Sequence, residues 1–126
     1  MTLLLDSGAL IALERNDRLM WRRLKAALQR EEIPITHGGV VGQAWRGLGP
    51  RSALLSKALD GLDVRPLGEA LGRRAGELLA RSKRSDVIDA ALVLLASDGD
   101  TILTSDPQDL HALARSADRL IDLIEV

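Results

Sequence analysis

The amino-acid sequence predicts a three-layer α/β/α fold in which helices cover both faces of a central parallel sheet of four or five short strands. Short apolar runs alternate with longer segments of helical periodicity along the chain, which is typical of such sheets. The first run, Leu3–Leu5, has no polar break and is typical of a strand buried on both faces. The 126 residues, of which 46% are hydrophobic, suffice for a single domain spanning residues 1–126.

The first half of the chain predicts two strands and four helices. After the strand at 3–5, a helix is expected over 9–14, and apolar residues at helical spacing predict an amphipathic helix over 19–28. Pro34 marks the start or the edge of a strand at 33–36. His37, Gly38 and Gly39 predict a turn before a helix over 40–45. Ser52 is expected to cap a helix that runs to about residue 59.

The second half continues the alternation. A third strand is predicted at 62–67 and a helix over 69–80. The helix over 86–96 is the most apolar and should lie deep against the sheet. It leads into a strand at 101–104. Pro107 occupies the favoured first position of the next helix, and the last strand is predicted at 120–124.

Composition excludes several classes of function. There is no cysteine, which rules out disulfides and zinc–thiolate sites and suits a reducing cytoplasm. Trp21 and Trp45 are the only aromatic residues, too few for an aromatic base-stacking sheet. A net charge of −1 argues against coating nucleic acid by bulk charge. We expect no signal peptide and no membrane span, because no apolar run is long enough.

Four aspartates lie where predicted strands and helices meet. Asp6 ends the first strand, Asp106 follows the strand at 101–104, and Asp86 and Asp89 open the apolar helix that precedes that strand. If the first and fourth strands are neighbours at the switch point of a doubly wound sheet, their carboxyl ends face one crevice. We therefore expect the four carboxylates to converge.

Each aspartate also has a structural interpretation, which the sequence leaves open. Asp6 and Asp86 are favoured helix N-caps, and Asp106 with Asp109 resembles a capping box around a proline. Asp89 is harder to explain in this way, because it lies in an apolar helix start on the same face as Asp86. Clustered carboxylates repel unless a cation intervenes, and an all-oxygen cluster suits one or two Mg²⁺ or Mn²⁺ ions. Such ions support phosphodiester hydrolysis.

Three stretches resemble, in order and spacing, the motifs of PIN domains, and most closely VapC-like toxins of bacterial toxin–antitoxin pairs. They are Leu-Leu-Asp6-Ser-Gly-Ala-Leu-Ile-Ala-Leu, Ser-Asp86-Val-Ile-Asp89-Ala-Ala and Leu-Thr104-Ser105-Asp106. The resemblance covers essentially the whole chain. It implies a PIN-like fold and a metal-dependent endoribonuclease that acts on RNA, with an antitoxin partner and a homodimer. Asp6, Asp86 and Asp106 match the family's catalytic metal-binding acids, and Thr104 matches its polar residue before the last acid. Gln43, Thr104 and Ser105 could line the site.

One residue departs from the pattern of the resemblance. The family usually has a glutamate in the helix after the second strand, and here that helix offers Gln43. An amide oxygen can bind a hard cation but supplies no charge, so metal affinity should fall, and Asp89 could replace the missing charge. The alternative is a PIN-like module that binds RNA or an antitoxin and no longer cleaves.

Several other residues have two interpretations. Arg81, Lys83 and Arg84 precede Asp86 and could bind RNA phosphates, although such a run is often a solvated loop. Arg46 could contact a phosphate or lie on the helix surface. Trp45 is expected in packing or in a dimer interface, and His37 and His111 are expected to be surface or structural residues.

Overall fold

The computed structural model describes residues 1–126 and has an all-parallel five-stranded sheet with seven helices around it. The strands are β1 (Leu3–Leu5), β2 (Ile35–His37), β3 (Asp63–Arg65), β4 (Thr101–Thr104) and β5 (Asp122–Glu125). The helices are α1 (Ser7–Glu14), α2 (Arg18–Gln29), α3 (Gly38–Ala44), α4 (Arg51–Asp60), α5 (Glu69–Ser82), α6 (Val87–Leu95) and α7 (Pro107–Ser116). This confirms the predicted fold class, with five strands in the sheet.

The strand order β3-β2-β1-β4-β5 makes β1 the central strand. The chain builds outward from β1 through β2 to β3 and then returns to place β4 on the other side of β1. Leu3 to Leu5 pair in parallel with Thr101 to Leu103. The switch point of the sheet therefore lies between β1 and β4, as predicted, and the crevice at their carboxyl ends is where ligands bind in such sheets.

The two faces of the sheet bury separate aliphatic cores. Leu3 and Leu5 of β1 contact the core that α1 to α4 cover, and Leu4, between them, contacts the core of α5, α6 and α7. All three leucines are buried, because alternate side chains of a central strand enter opposite layers. No helix combines the length and the apolar character that crossing a bilayer requires.

Two local predictions are wrong, and each has a physical reason. The chain does not turn at His37–Gly39: His37 ends β2, and α3 begins directly at Gly38. Gly39 serves packing instead, because a Cβ atom there would lie 2.5 Å from the Ile88 Cδ1 atom of α6. Ser52 is not a cap, since α4 begins at Arg51 and the Ser52 hydroxyl donates backwards to the Leu48 carbonyl.

Strand boundaries also shift by a few residues. The second strand begins at Ile35 rather than at residue 33, and the third shortens to Asp63–Arg65. The last strand begins at Asp122, and just before it the Arg119 guanidinium turns inward to donate to the Leu94 and Ala96 carbonyls at the end of α6. The apolar residues before Asp122 therefore lie in a connecting loop rather than in the sheet.

Candidate active site

Asp6 lies at the carboxyl end of β1 and joins two loops. Its backbone N–H donates to the Leu103 carbonyl across the sheet, so the residue continues the pairing with β4. One carboxylate oxygen accepts the Ala9 N–H at 3.0 Å and thereby caps α1, and the other accepts the Ser105 N–H at 3.2 Å. Asp6 is buried, at 6% exposure. The capping interpretation of Asp6 is therefore confirmed, and its second oxygen ties the residue to the loop after β4.

The loop after β1 approaches the loop after β4 more closely than a side chain would allow. A Cβ atom placed on Gly8 would lie 2.5 Å from the Ser105 Cβ atom and 3.1 Å from the Ser105 backbone nitrogen. Only glycine fits this contact without displacement of the neighbouring backbone. The contact holds Asp6 beside the Ser105–Asp106 segment, and Ser105 itself is exposed.

Asp106 is presented by the end of β4. The buried Thr104 hydroxyl oxygen accepts the Asp106 N–H at 2.8 Å, which fixes the backbone of the turn. The Asp106 side chain forms no capping hydrogen bond to α7 and is exposed. The capping-box interpretation is therefore wrong for this residue: its carboxylate projects from the crevice without a structural partner.

Asp86 and Asp89 lie at the start of α6. Asp86 is the N-cap, and one of its oxygens accepts the N–H groups of Ile88 and Asp89 at 2.9 and 3.1 Å. Asp89 is half-buried in the first turn, and its carboxylate accepts no hydrogen bond from the protein. Capping alone accounts for Asp86, but nothing in the local structure compensates a charge on Asp89 except the helix dipole.

The pKa of Asp89 responds to burial and to several neighbouring acids. Burial is the largest cause that raises its pKa, and the negative charges of Asp86, Asp6, Asp106 and Asp109 add to it in that order. Together they raise the pKa of Asp89 from 3.8 to about 7. These charges come from three separate segments, yet all of them act on one carboxyl group. The structure thus brings the four predicted aspartates to one end of the β1–β4 pair and adds Asp109 to them.

His37 holds the α6 helix in this position, a role that the sequence did not reveal. Its imidazole is fully buried; Nδ1 accepts the Gly39 N–H at 3.1 Å, so Nε2 carries the proton and donates to the Ile88 carbonyl at 2.9 Å. Burial lowers the pKa of His37 below its ordinary 6.5, and the hydrogen bond with Ile88 partly opposes this. The neutral ring therefore joins the start of α3 to the first turn of α6.

Gln43 lies on α3 and is exposed. Arg46 follows the helix, and its guanidinium donates to the Gly42 and Trp45 carbonyls, so it caps the end of α3. Trp45 is 38% exposed and ends that helix. His111 is exposed on α7. The structure shows no hydrogen bond from the Gln43 side chain to any of the acids.

A cavity of about 240 Å³ opens beside the acids. It is lined by Lys83, Arg84, Ser85, Asp86, Asp89, Asp109 and Leu113. Arg84 forms a salt bridge with Asp109 at 2.8 Å, and Lys83 has a left-handed backbone with φ of 58° that ends α5. Cations and carboxylates therefore share one small cavity. Arg81, in the last turn of α5, is exposed and does not line it.

The acids offer oxygen donors that suit a divalent cation. Carboxylate oxygens are favoured ligands of Mg²⁺ or Mn²⁺, and Asp89, Asp106 and one oxygen of Asp86 accept no protein hydrogen bond. However, no three acidic side chains are arranged as ligands to a single ion. The chemistry of the donor set fits the metal, whereas the observed side-chain positions do not form a ligand set for it.

Comparisons with known proteins support the fold and leave the family open. No family model matches the chain, and no curated protein matches it. Among solved structures, one similar chain belongs to a crystal structure of VapBC2 from Rickettsia felis bound to a DNA fragment from their promoter. The two chains superpose with a TM-score of 0.71 over 98% of this chain and 99% of the other, at 12% sequence identity. The likeness is one of architecture over the full length.

Proposed function

We propose that the chain is a metal-dependent endoribonuclease that hydrolyses phosphodiester bonds of RNA. One observation carries the proposal: Asp6 is hydrogen-bonded to the loop that presents Asp106, and the charges of both, with that of Asp86, act on the half-buried Asp89 and help to raise its pKa to about 7. A carboxylate whose charge is so unfavourable is suited to a cation-binding site. Structural ion pairing does not explain its position, because Asp89 forms no salt bridge.

The residues divide into two roles. Asp6, Asp86, Asp89 and Asp106 would hold one or two Mg²⁺ or Mn²⁺ ions, which supply a polarised phosphate and an activated water when bound. The hydrogen bonds from Ala9 and Ser105 hold the Asp6 carboxylate rigid, while Thr104 fixes the backbone of Asp106. Lys83 and Arg84 line the adjacent cavity, where an RNA phosphate would find positive charge. Arg46 and Arg81 would contact the strand farther away.

The biological setting that we propose is a toxin–antitoxin pair. The fold is that of a chain in the Rickettsia felis VapBC2 structure, and the sequence motifs resemble VapC-like toxins. We propose a small antitoxin partner, a homodimer and a cytoplasmic location on this basis. The superposition supports the analogy because it covers nearly all of both chains rather than a shared core alone.

A second function is favoured by Gln43 and by the arrangement of the acids. The residue expected to be a glutamate is neutral, and no three carboxylates are arranged around one point. Both features suit a module that binds RNA or an antitoxin without cleaving. The two functions make opposite predictions for a single assay.

The test is cleavage of total RNA by the purified chain in Mg²⁺ or Mn²⁺, compared with excess chelator. Asp106→Asn is a sharper control than Asp6→Asn, because the Asp106 side chain caps nothing, whereas an asparagine amide in place of the Asp6 carboxylate could face the Ser105 N–H with a second donor. Asp122→Asn, an exposed acid at the start of β5, is the matched control. We expect the wild-type chain to cleave RNA only when metal is present. Asp106→Asn should abolish cleavage, and Asp122→Asn should cleave at the wild-type rate. No cleavage by the wild-type chain, combined with RNA binding, would establish the second function.

A further inference from the structure

A basic groove lies between α2 and α4, on the layer that covers Leu3 and Leu5. Its lining consists of Asn16, Arg18, Trp21, Arg22, Lys25, Leu54 and Lys57, around a volume of about 360 Å³. We name it the α2–α4 groove. It shares no residue with the acidic site, and α1, which Asp6 caps, ends at Glu14 near the groove residue Asn16. The eight residues of α1 place the groove about 12 Å or more from Asp6.

The charges of the groove are all of one sign. Arg18, Arg22, Lys25 and Lys57 line it, no acidic side chain does, and none of the four forms a salt bridge. The whole α2 segment contains four cations and no acid, although the chain as a whole carries a net charge of −1. Ordinary surfaces intersperse both signs, so four unpaired cations around one concavity indicate an anionic ligand.

The cations are arranged in a row. Arg18, Arg22 and Lys25 are spaced i, i+4 and i+7, which places them on one stripe of α2. At about 1.5 Å per residue they are separated along the helix by about 6 and about 4.5 Å. A row of charges matches a linear polyanion better than it matches a compact one, because each cation can meet a successive phosphate.

Trp21 adds a flat surface at the same place. The ring is half-buried, its Nε1–H donates to the Leu13 carbonyl, and the Lys57 ammonium lies 6.0 Å from the ring centroid. Only Trp21 and Leu54 of the seven lining residues are hydrophobic. The four cations outnumber the two hydrophobic residues of the lining, so charge dominates recognition here. Cations beside an aromatic ring are the elements that bind single-stranded nucleic acid.

We propose that the α2–α4 groove binds the phosphate backbone of single-stranded RNA, as a second contact outside the acidic site. This rests on the proposed function for the identity of the polymer. RNA that occupies the acidic site would extend along α1, so that phosphates several nucleotides away reach Arg18, Arg22 and Lys25. Binding in the groove requires no metal, since all of its charged groups are cations.

The test measures binding of a fluorescein-labelled single-stranded oligouridylate in excess chelator, so that no cleavage intervenes. Arg22→Gln with Lys25→Gln should weaken binding at least about fivefold and reduce the slope of log affinity against log salt by about 1.4, at about 0.7 for each lost contact to a single strand. Arg73→Gln with Arg74→Gln is the matched control, because it removes the same charge from exposed sites on α5, in the other layer. Equal losses in both pairs would show binding by bulk charge and overturn the proposal.

Trp21 provides a local reporter. In a Trp45→Phe background it is the only tryptophan, and its fluorescence should change on addition of oligouridylate and stay unchanged in the Arg22→Gln, Lys25→Gln variant. An unchanged signal during RNA binding would place the RNA elsewhere and overturn the proposal. A polyglutamate peptide that binds the groove more tightly than an oligouridylate of equal charge would show that the groove prefers an acidic protein segment, which also overturns the proposal.

The outcomes separate this proposal from the nuclease function. If the Arg22→Gln, Lys25→Gln variant loses RNA binding and the wild-type chain does not cleave RNA in Mn²⁺, the groove proposal is supported and the nuclease function is refuted. If the wild-type chain cleaves RNA in a metal-dependent way, and the Arg22→Gln, Lys25→Gln variant cleaves and binds RNA equally well, the nuclease function is supported and the groove proposal is refuted.

Discussion

Replacing Asp89 by asparagine should stabilise the metal-free protein at high pH and not at low pH. The pKa of this carboxyl group is about 7 in the folded protein, against an ordinary 3.8. Between these values the folded state holds a proton that the unfolded state has released, so the free energy of unfolding falls as the pH rises from about 4 to about 7. Asparagine is neutral throughout and keeps the shape of the protonated acid.

The magnitude follows from the two pKa values. Their difference corresponds to about 4 kcal/mol at about 1.36 kcal/mol per pK unit, and solvent screening of the partly exposed side chain reduces this to about 1–2 kcal/mol. The helix dipole acts in the opposite direction, because it favours a charged Asp89 in the first turn by about 0.3–1 kcal/mol. Burial and repulsion from the neighbouring acids should prevail, with no hydrogen bond lost, because the Asp89 carboxylate accepts none.

The assay is thermal unfolding of wild type and Asp89→Asn in chelator at pH 4 and pH 8. We expect the variant to melt about 3–8 °C higher at pH 8 and within about 2 °C of wild type at pH 4. Taking the difference between the two proteins at each pH cancels the titrating groups that do not interact with Asp89, and it leaves the effect of Asp89 together with the acids coupled to it. A variant that melts lower at pH 8 would refute the reasoning, because the helix dipole would then outweigh burial and repulsion and the acids would not be clustered.

Three further predictions test the surroundings of the site. If the proposed metal site exists, Mn²⁺ should raise the melting temperature of the wild type, and Asp106→Asn should lose most of that rise with little change in the metal-free value, measured by titration in differential scanning fluorimetry. An equal rise in both proteins would exclude Asp106 from the proposed site. Gly8→Ala should destabilise the fold by roughly 1–3 kcal/mol in urea unfolding, because the added Cβ would clash with Ser105. Adding Ser105→Gly to this variant should restore part of the lost stability. No loss in Gly8→Ala would mean that the two loops can move apart without cost. His37→Phe should cost roughly 1–3 kcal/mol at pH 8, since the Gly39 N–H and Ile88 carbonyl lose their partner. The pKa of His37 is lowered in the folded protein, so the unfolded chain binds the proton at a higher pH than the folded one does. The free energy of unfolding should therefore fall as the pH drops below 6.5. In an Asp89→Asn background, His37→Phe should remove this pH-dependent fall.

The fold and the convergence of the acids could be predicted because they depend on local patterns. The apolar run at Leu3–Leu5 predicts a central strand, and a carboxylate shortly after each of two such strands predicts acids at one edge. The structural role of Asp86 as a cap was also foreseeable from its position before an apolar helix. These inferences need no knowledge of which residues meet across the layers.

Features that depend on distant contacts escaped prediction. His37 acts on Ile88, 51 positions away, and a lone histidine carries no periodic signal that would reveal such a partner. Two glycines after a strand normally predict a turn, yet Gly39 lies in a helix, where an isoleucine from α6 occupies the space of its missing side chain. Arg119 is similar, because its contact with the end of α6 fixes a connection that the apolar sequence 120–124 presents as strand. In each case tertiary packing outweighs the local preference.

The placement of β4 beside β1 has a consequence for synthesis of the chain on the ribosome. The acidic crevice joins Asp6 to Ser105, residues 99 positions apart, so it does not exist until most of the chain has emerged. At a translation rate of roughly 5–20 residues per second, about 5–20 s pass between the synthesis of β1 and that of β4, which pairs with it. During that interval an apolar strand with an unpaired edge is exposed, and a chaperone or a neighbouring nascent chain competes with β4 for it. An interrupted translation product would consequently carry Asp6 and Asp86 without the turn that presents Asp106, and would be an aggregation hazard.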